Sequence, residues 1–500
     1  MKLRFHHGRG AIVAAVLFLV LSLSFVASAV ADPTIELSFD KELRAEPFTG
    51  RVVLFLWPAE NGKPPRRWEM IGTNPIASID VKDWKPETPL KIKNPRAYPT
   101  DFDEIHGKFR VRAVMQNNPA LPNGLDTPGN LISKWTAVDL SPESKRRIRI
   151  KLNRKNEDPD RQDRAELKFV EFKSRLLSEF HGREVMMRAA VRLPDGFESQ
   201  PDRRFAAIYY IPGFGGDERE AMQIARMLGD PDSSFVRIGL DPTLRLGHTV
   251  FADSDNNGPC ARALVEEFIP HLESKFRLLP EARGRYLTGH SSGGWSSLWL
   301  QVTYPDFFNG CWSGSPDPVD FHDFTGVNLY EDECFYYLNG SDKDPRPIMR
   351  QSGKVLYSIE QFARMEDVIG PGGQLMAFEA VFGPKGKNGL PVPMYDRRTG
   401  RIDRKVVDAW KRYDIVEKLT REWDTLGPKL KGKITVIMGD EDNFYLNGAT
   451  RRLKEKLESL GSDARITIVP QLDHMTIVFS PPYRAVITEI TERFKASEPD

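Results

Sequence analysis

Residues Gly289-His-Ser-Ser-Gly293 carry the pattern G-x-S-x-G, with Ser291 at its centre. A serine there can act as a nucleophile if the chain turns sharply from a strand into a helix at that point. The turn projects the hydroxyl above the end of the sheet, and the flanking glycines let strand and helix approach without a Cβ clash. The sequence is compatible with that geometry: the β-prone Arg285-Tyr-Leu-Thr288 enters the pentapeptide, and a helix-compatible run from Trp295 to Tyr304 leaves it. The N-terminus of such a helix carries partial positive charge toward the point where an oxyanion forms. Taken alone, the pentapeptide also describes a glycine-rich turn with a surface serine, so its meaning depends on its partners.

A serine hydroxyl needs a base to take its proton, and the base needs an acid that fixes its tautomer. Histidines are few. Downstream of Ser291 only His322 and His474 occur. His474 lies just past the last expected strand, where an acid-then-base order places the general base; His322 comes early and is the reserve. Ahead of His474, Met438-Gly-Asp-Glu-Asp-Asn-Phe-Tyr445 offers Asp440, Glu441 and Asp442 after an apolar strand. Asp442 is the preferred acid and Asp440 the alternative. Acyl transfer also needs donors for a tetrahedral oxyanion. One is the backbone N–H of Ser292. The other is assigned to the Phe214 N–H, in the glycine-rich loop Ile211-Pro-Gly-Phe-Gly-Gly-Asp217. That loop lacks G-x-G-x-x-G, which disfavours a nicotinamide site.

The elements that must position these groups fall into two textures. Residues 32–152 contain partly alternating runs, among them Thr34–Phe39, Arg51–Trp57, Lys108–Met115 and Arg147–Leu152, separated by Pro-, Gly- and Asn-rich turns. This predicts a small antiparallel β-sandwich with one face solvated. A charged stretch, residues 153–165, reads as a solvated linker. Residues 166–500 then alternate strands and helices: strands near 167–172, 184–193, 205–211, 235–240, 309–314, 433–438 and 464–469, with a final amphipathic helix through Tyr483 and Phe494. Such alternation predicts an α/β architecture with a mainly parallel sheet and helices on both faces. Residues 321–430 interrupt it, too long for a structureless loop, and are expected to form a helical or irregular insertion near the active site.

The N-terminus has Lys2, Arg4 and Arg9 ahead of an apolar run from Ala11 to Val26 and then Ala29-Val-Ala31. This order reads as a signal peptide over residues 1–31, so the mature protein is expected to be secreted or periplasmic, without a stable membrane anchor. Removal of those residues takes the formal charge from +1 to −2, which argues against nucleic acid as a partner. The three cysteines, Cys260, Cys311 and Cys334, form no C-x-x-C and no zinc spacing; neither a metal nor an organic cofactor is expected.

Four pieces, Tyr210–Glu218, Gly247–Pro259, Thr288–Trp295 and Gly439–Tyr445, fall in the order found in the putative-esterase family, the esterase D-like group of α/β-hydrolases. The resemblance covers residues of about 166–495. That family includes S-formylglutathione hydrolases, feruloyl and acetylxylan esterases, enterochelin esterases and mycolyltransferases. The resemblance implies an α/β-hydrolase fold and a serine esterase with Ser291 as nucleophile, His474 as base and Asp442, in its Asp-Asn-Phe setting, as acid. It also implies that Gly247–Pro259 edges the pocket, with His248, Asp253 and Asn256 as substrate contacts. The β-rich N-terminal region and the long insertion depart from the compact family pattern, so the substrate, a small-molecule or polysaccharide-linked ester, is not specified. An acyltransferase or a serine peptidase would use the same triad, and an inactive carbohydrate-binding protein would keep only the fold.

Overall fold

The structure, a computed structural model, describes residues 34–64, 74–144, 147–229, 232, 234–338, 341 and 343–497. The signal peptide expected over residues 1–31 lies outside them.

Eight strands form the C-terminal sheet: β1 (Leu167–Lys173), β2 (Met186–Arg192), β3 (Ala206–Ile211), β4 (Phe235–Leu240), β5 (Arg285–His290), β6 (Cys311–Gly314), β7 (Ile434–Gly439) and β8 (Arg465–Val469). Their spatial order is β1-β2-β4-β3-β5-β6-β7-β8. The first two pairings are antiparallel and every later one is parallel. All six residues of β3, of β4 and of β7 are buried. Continuous apolar strands of this kind need cover on both faces, and they have it. One face packs Ala207, Tyr209, Ile238 and Val436 against Leu298 and Leu264. The other packs Ile208, Tyr210 and Phe235 against α1 (Glu218–Met227) and the C-terminal Val486–Lys495 helix.

Residues 34–155 build a second sheet of nine strands. It is one continuous sheet rather than two separate ones, and its inner residues Leu37, Val52, Leu54, Val111 and Ile150 share a single core. The purely antiparallel sandwich expected from the sequence is modified at one place: Thr34–Phe39 pairs in parallel with Arg147–Lys155. No hairpin signal can announce a pairing between segments more than a hundred residues apart.

The expectation of a solvated outer face also changes. Val53, Phe55, Val114 and Ile132 on that face pack against Met365, Val368 and Ile369 of an insertion helix, α3 (Ile359–Ile369). The unbroken apolar run Val52–Leu56 is the sequence trace of this two-sided burial. Polar groups of the N-terminal sheet then satisfy backbone carbonyls at the α3 C-terminus, which have no intrahelical donors. Arg51 Nη1 donates to the Asp367 carbonyl at 2.8 Å, Gln116 Nε2 to the Ile369 carbonyl at 2.8 Å, and the Asn123 N–H to the Pro371 carbonyl at 3.0 Å. The charged stretch read as a solvated linker is likewise tied down, since Arg161 Nε lies 2.7 Å from the fully buried Glu218 carboxylate. All three cysteines are buried and unpaired.

A charge placed among these apolar groups has no partner. Val368→Asp is expected to cost about 3 kcal/mol or more, read as a lowered thermal midpoint together with faster proteolysis in residues 118–128. A variant that melts with the wild type would show that α3 contributes little.

Candidate active site

Ser291 sits between β5 and α2 (Ser292–Thr303) at φ 58° and ψ −125°, a strained conformation for a residue with a Cβ. The approach of the two elements explains the neighbouring glycines. A Cβ on Gly293 would lie 2.0 Å from the Ile211 carbonyl oxygen, and one on Gly289 would lie 2.3 Å from the Gly293 oxygen. The first turn of α2 is anchored by small polar side chains: Ser297 Oγ donates to the Gly293 carbonyl and Ser313 Oγ to the Gly294 carbonyl, each at 2.8 Å. Trp295 is fully buried beneath it, stacked on Trp299 with ring centroids 5.2 Å apart.

The loops after β7 and β8 bring Asp442 and His474 together. Asp442 Oδ2 is 2.7 Å from His474 Nδ1, and both residues are buried. A carboxylate acceptor at Nδ1 places the proton there and leaves Nε2 with its lone pair. Burial alone would raise the Asp442 pKa, but His474 and the Phe444 and Leu446 N–H donors hold it below the ordinary carboxylate range. Burial would lower the His474 pKa, but the charge and hydrogen bond of Asp442, with Asp317 behind it, leave it raised above the usual imidazole value. The alternative acid, Asp440, turns away and accepts the Gln471 N–H at 2.6 Å.

Two residues that the sequence reading passed over fix this pair. Asn443 Oδ1 accepts the His474 N–H at 3.1 Å. Arg350, from a hairpin in the insertion, donates through Nε to the Asp442 carbonyl at 2.9 Å and stacks over Tyr445.

Ser291, His474 and Phe214 line a common cleft of about 1330 Å³. Ser292 heads α2, so its N–H has no intrahelical acceptor. Phe214 lines the cleft from the loop after β3, where a Cβ on Gly213 would sit 3.3 Å from that of Ser291. His248 lines the same cleft, but both its ring nitrogens are occupied: Nδ1 accepts the Val250 N–H and Nε2 donates to the Pro212 carbonyl, each at 3.0 Å. Burial lowers its pKa to about 4, so the ring is neutral and braces the Phe214 loop. Asp253 and Asn256 are placed elsewhere. Asp253 accepts the Ala261 and Arg262 N–H groups, and Asn256 Nδ2 donates to the Ala380 and Gly383 carbonyls. Their sequence position beside the pocket loop gave no indication of which way the side chains turn.

A further carboxyl enters that the motifs did not indicate. Asp317, in the loop after β6, accepts from Ser292 Oγ at 2.5 Å and lies 3.5 Å from Ser291 Oγ. Gln374, the first residue of α4 (Gln374–Phe382), reaches Ser292 Oγ at 3.3 Å. The insertion thus forms a wall of the site, joined by Thr325, Met349 and Phe378. Residues 120–128, in a loop between two strands of the N-terminal sheet, and Glu157, Asp158, Pro159 and Arg161 of the following stretch line the cleft as well. The reserve histidine, His322, belongs to a separate cluster with Asp320 and Asp414. There Asp320 faces His322 and Arg452, and Asp414 accepts the Phe321 N–H and the Tyr330 hydroxyl. With its oxygens taken up by donors, that cluster is a hydrogen-bond network rather than an open ligand set for a metal ion.

No curated protein matches the sequence. Among solved structures, a ferulic acid esterase aligns at 13% identity and a TM-score of 0.41, covering 65% of this chain and 98% of its own. An S-formylglutathione hydrolase from Agrobacterium tumefaciens aligns at 16% identity and 0.39, covering 66% of this chain and 95% of its own. The fluorophosphonate-binding serine hydrolase F of Staphylococcus aureus aligns at 13% and 0.38, covering 65% and 98%. The family described as "Putative esterase" matches residues 182–459, more than half of the chain. By that match the chain belongs to the putative-esterase family of α/β-hydrolases and is a hydrolase acting on esters.

Proposed function

We propose that the protein is an exported serine esterase in which Ser291, His474 and Asp442 form the catalytic triad. The observation that carries this reading is the buried Asp442–His474 pair opening into the same cleft as a serine held at positive φ. In this mechanism Ser291 Oγ turns from Asp317 toward His474 Nε2, gives up its proton and attacks the ester carbonyl. The Ser292 and Phe214 N–H groups receive the oxyanion. His474 then protonates the departing alkoxide, and water, activated by the same imidazole, releases the acid from Ser291. Asp442 stabilises the imidazolium in both steps. The residues used require neither metal nor cofactor. A signal peptide over residues 1–31 places the reaction outside the cytoplasm, on a small-molecule or polysaccharide-linked ester.

Ser291→Ala is expected to lower kcat/KM for p-nitrophenyl acetate by at least about 10³-fold and to abolish fluorophosphonate labelling. Labelling that survives would remove Ser291 from its role. His474 must be neutral to act as base and its pKa is raised, so kcat/KM is expected to fall with pH through a limb above about 6.5, the usual imidazole value. Asp442→Asn removes the raising charge. It is expected to move that limb to lower pH and cut the rate about 10³-fold or more, whereas Asp440→Asn leaves the profile in place. Equal effects of the two substitutions would mean that the acid is misassigned. His248→Phe deletes the hydrogen bond to the Pro212 carbonyl. It is expected to lower kcat about 10-fold or more with little change in KM, because the loop carrying an oxyanion donor loosens; a change confined to KM would make His248 a substrate contact instead.

A further inference from the structure

We infer that Asp317 makes the acyl side of the cleft a binding site for a protonated amine, so that the preferred substrates are esters whose acyl group carries an ammonium near the carbonyl. This rests on the reading of Ser291 as nucleophile. Asp317 is 4% exposed and lines the cleft. Its side-chain partners are all neutral: the Ser292 hydroxyl, the Ser291 hydroxyl and, at 3.5 Å, the Gln374 amide. Among the described residues no lysine or arginine forms an ion pair with it. The titratable groups facing it are His474, whose pKa Asp317 helps to raise and which is uncharged when it acts as base, and Asp442, a second carboxylate. A buried carboxylate without a cation is costly, and a bound ammonium offsets that cost. Burial raises its pKa only to about 6, so it is ionised at neutral pH.

The surroundings carry the same sign. Eight carboxyl side chains and four arginines line the cleft, with no lysine; of the carboxyls, Glu184 is paired with Lys173 and Asp217 with Arg219, and burial pushes the Asp241 pKa up to about 7. Three of those arginines are already engaged, Arg161 with Glu218, Arg188 with Glu171 and Arg219 with Asp217. A cleft of this charge attracts cations and repels anionic acyl groups. Reach decides which part of the substrate is read. In the acyl-enzyme the acyl carbon is bonded to Ser291 Oγ, which before its turn toward His474 lies 3.5 Å from Asp317 Oδ1. An amine on the first or second acyl carbon is about 2.5–4 Å from the carbonyl carbon, within hydrogen-bonding range of that oxygen. The leaving alcohol has by then departed. If Asp317 served only to brace Ser292, its charge would not matter to the choice of substrate.

The test compares kcat/KM for the p-nitrophenyl esters of β-alanine, butyrate and N-acetyl-β-alanine at about pH 7.5, each divided by its hydroxide-catalysed rate. At that pH an alkylamine, with a pKa of about 10.4, is protonated. The wild type is expected to favour the β-alanine ester over both neutral ones about tenfold or more, and Asp317→Asn to reduce that ratio about tenfold. A wild type without the preference overturns the inference whether or not the variant folds. So does an Asp317→Asn enzyme in which all three rates fall together with the ratio intact. Ser291→Ala separates the two levels of the argument. If it abolishes turnover of all three esters while the amine preference is absent, the esterase mechanism stands and the Asp317 assignment falls. Turnover that persists in Ser291→Ala, or a wild type that cleaves none of them, brings down the nucleophile reading and the Asp317 assignment with it.

Discussion

The site depends on a close approach between two pieces of backbone. The Ile211 carbonyl, at the end of β3, occupies the space a Cβ on Gly293 would need, and the Gly293 carbonyl stands the same way against Gly289. Much of the site follows from that approach. It forces the chain at Ser291 into positive φ, which lifts the hydroxyl off the sheet. It brings the loop after β3, with Gly213 and Phe214, against Ser291, and it directs the first turn of α2 into the same space. Strain of this kind persists only where the surroundings determine it fully. Here they do so through buried β5, the serine bonds to the first carbonyls of α2, and a fully buried Trp295.

Electrostatically the site is built from carboxylates around one imidazole. Asp442 is buried yet held ionised, because a histidine and two backbone N–H groups give it what water would have given. Asp317 is buried with only neutral donors, and its pKa rises accordingly. Two acids within reach of the same histidine therefore have different characters, set by their partners rather than by their depth. His290 is a second neighbour, its ring 4.6 Å from that of His474, but burial lowers its pKa to about 3 and keeps it neutral. One histidine of the neighbouring pair is thus kept basic and the other is not.

What was legible in the sequence follows from which interactions are local. The strands of the C-terminal sheet, four of the nine N-terminal ones and the elbow could be read because alternation, apolar runs and the Gly-x-Ser-x-Gly spacing are short-range signals. Histidine scarcity singled out His474, and the chain order of acid and base indicated the Asp440–Asp442 cluster. The choice between Asp440 and Asp442 depends on a turn: Asp442 accepts the N–H groups of Phe444 and Leu446, and Asp440 that of Gln471. Asp317, Gln374 and Arg350 were not legible. Their partners are 25, 82 and 92 residues distant, and no spacing rule connects them. An acid in Gly314-Ser-Pro-Asp317, directly after the strand beside the elbow, is the one local sign that could have been weighed. Asp253 and Asn256 show the opposite error, since polar residues in a pocket loop can spend their hydrogen bonds on the loop itself.

The N-terminal sheet bears on the site through a chain of contacts. Its outer face buries Met365, Val368 and Ile369 of α3, and its polar groups hold the carbonyls where that helix ends. From there the chain passes through Gly370 and Gly372, both at positive φ, into Gln374, which touches Ser292. A side chain on Gly372 would collide with Pro122 of the N-terminal sheet, so the loop and the sheet are fitted to each other across the cleft mouth. The cleft, of about 1330 Å³, is walled by three segments distant in sequence. Pockets for ordinary small ligands run to about 300–1,000 Å³. Residues 120–128, α1 and the exposed Met475 and Phe479 all contribute to the cleft lining. A cleft lined by the N-terminal region and the insertion as well as by Ser291 and His474 gives those segments room to touch parts of a bound molecule beyond its ester bond.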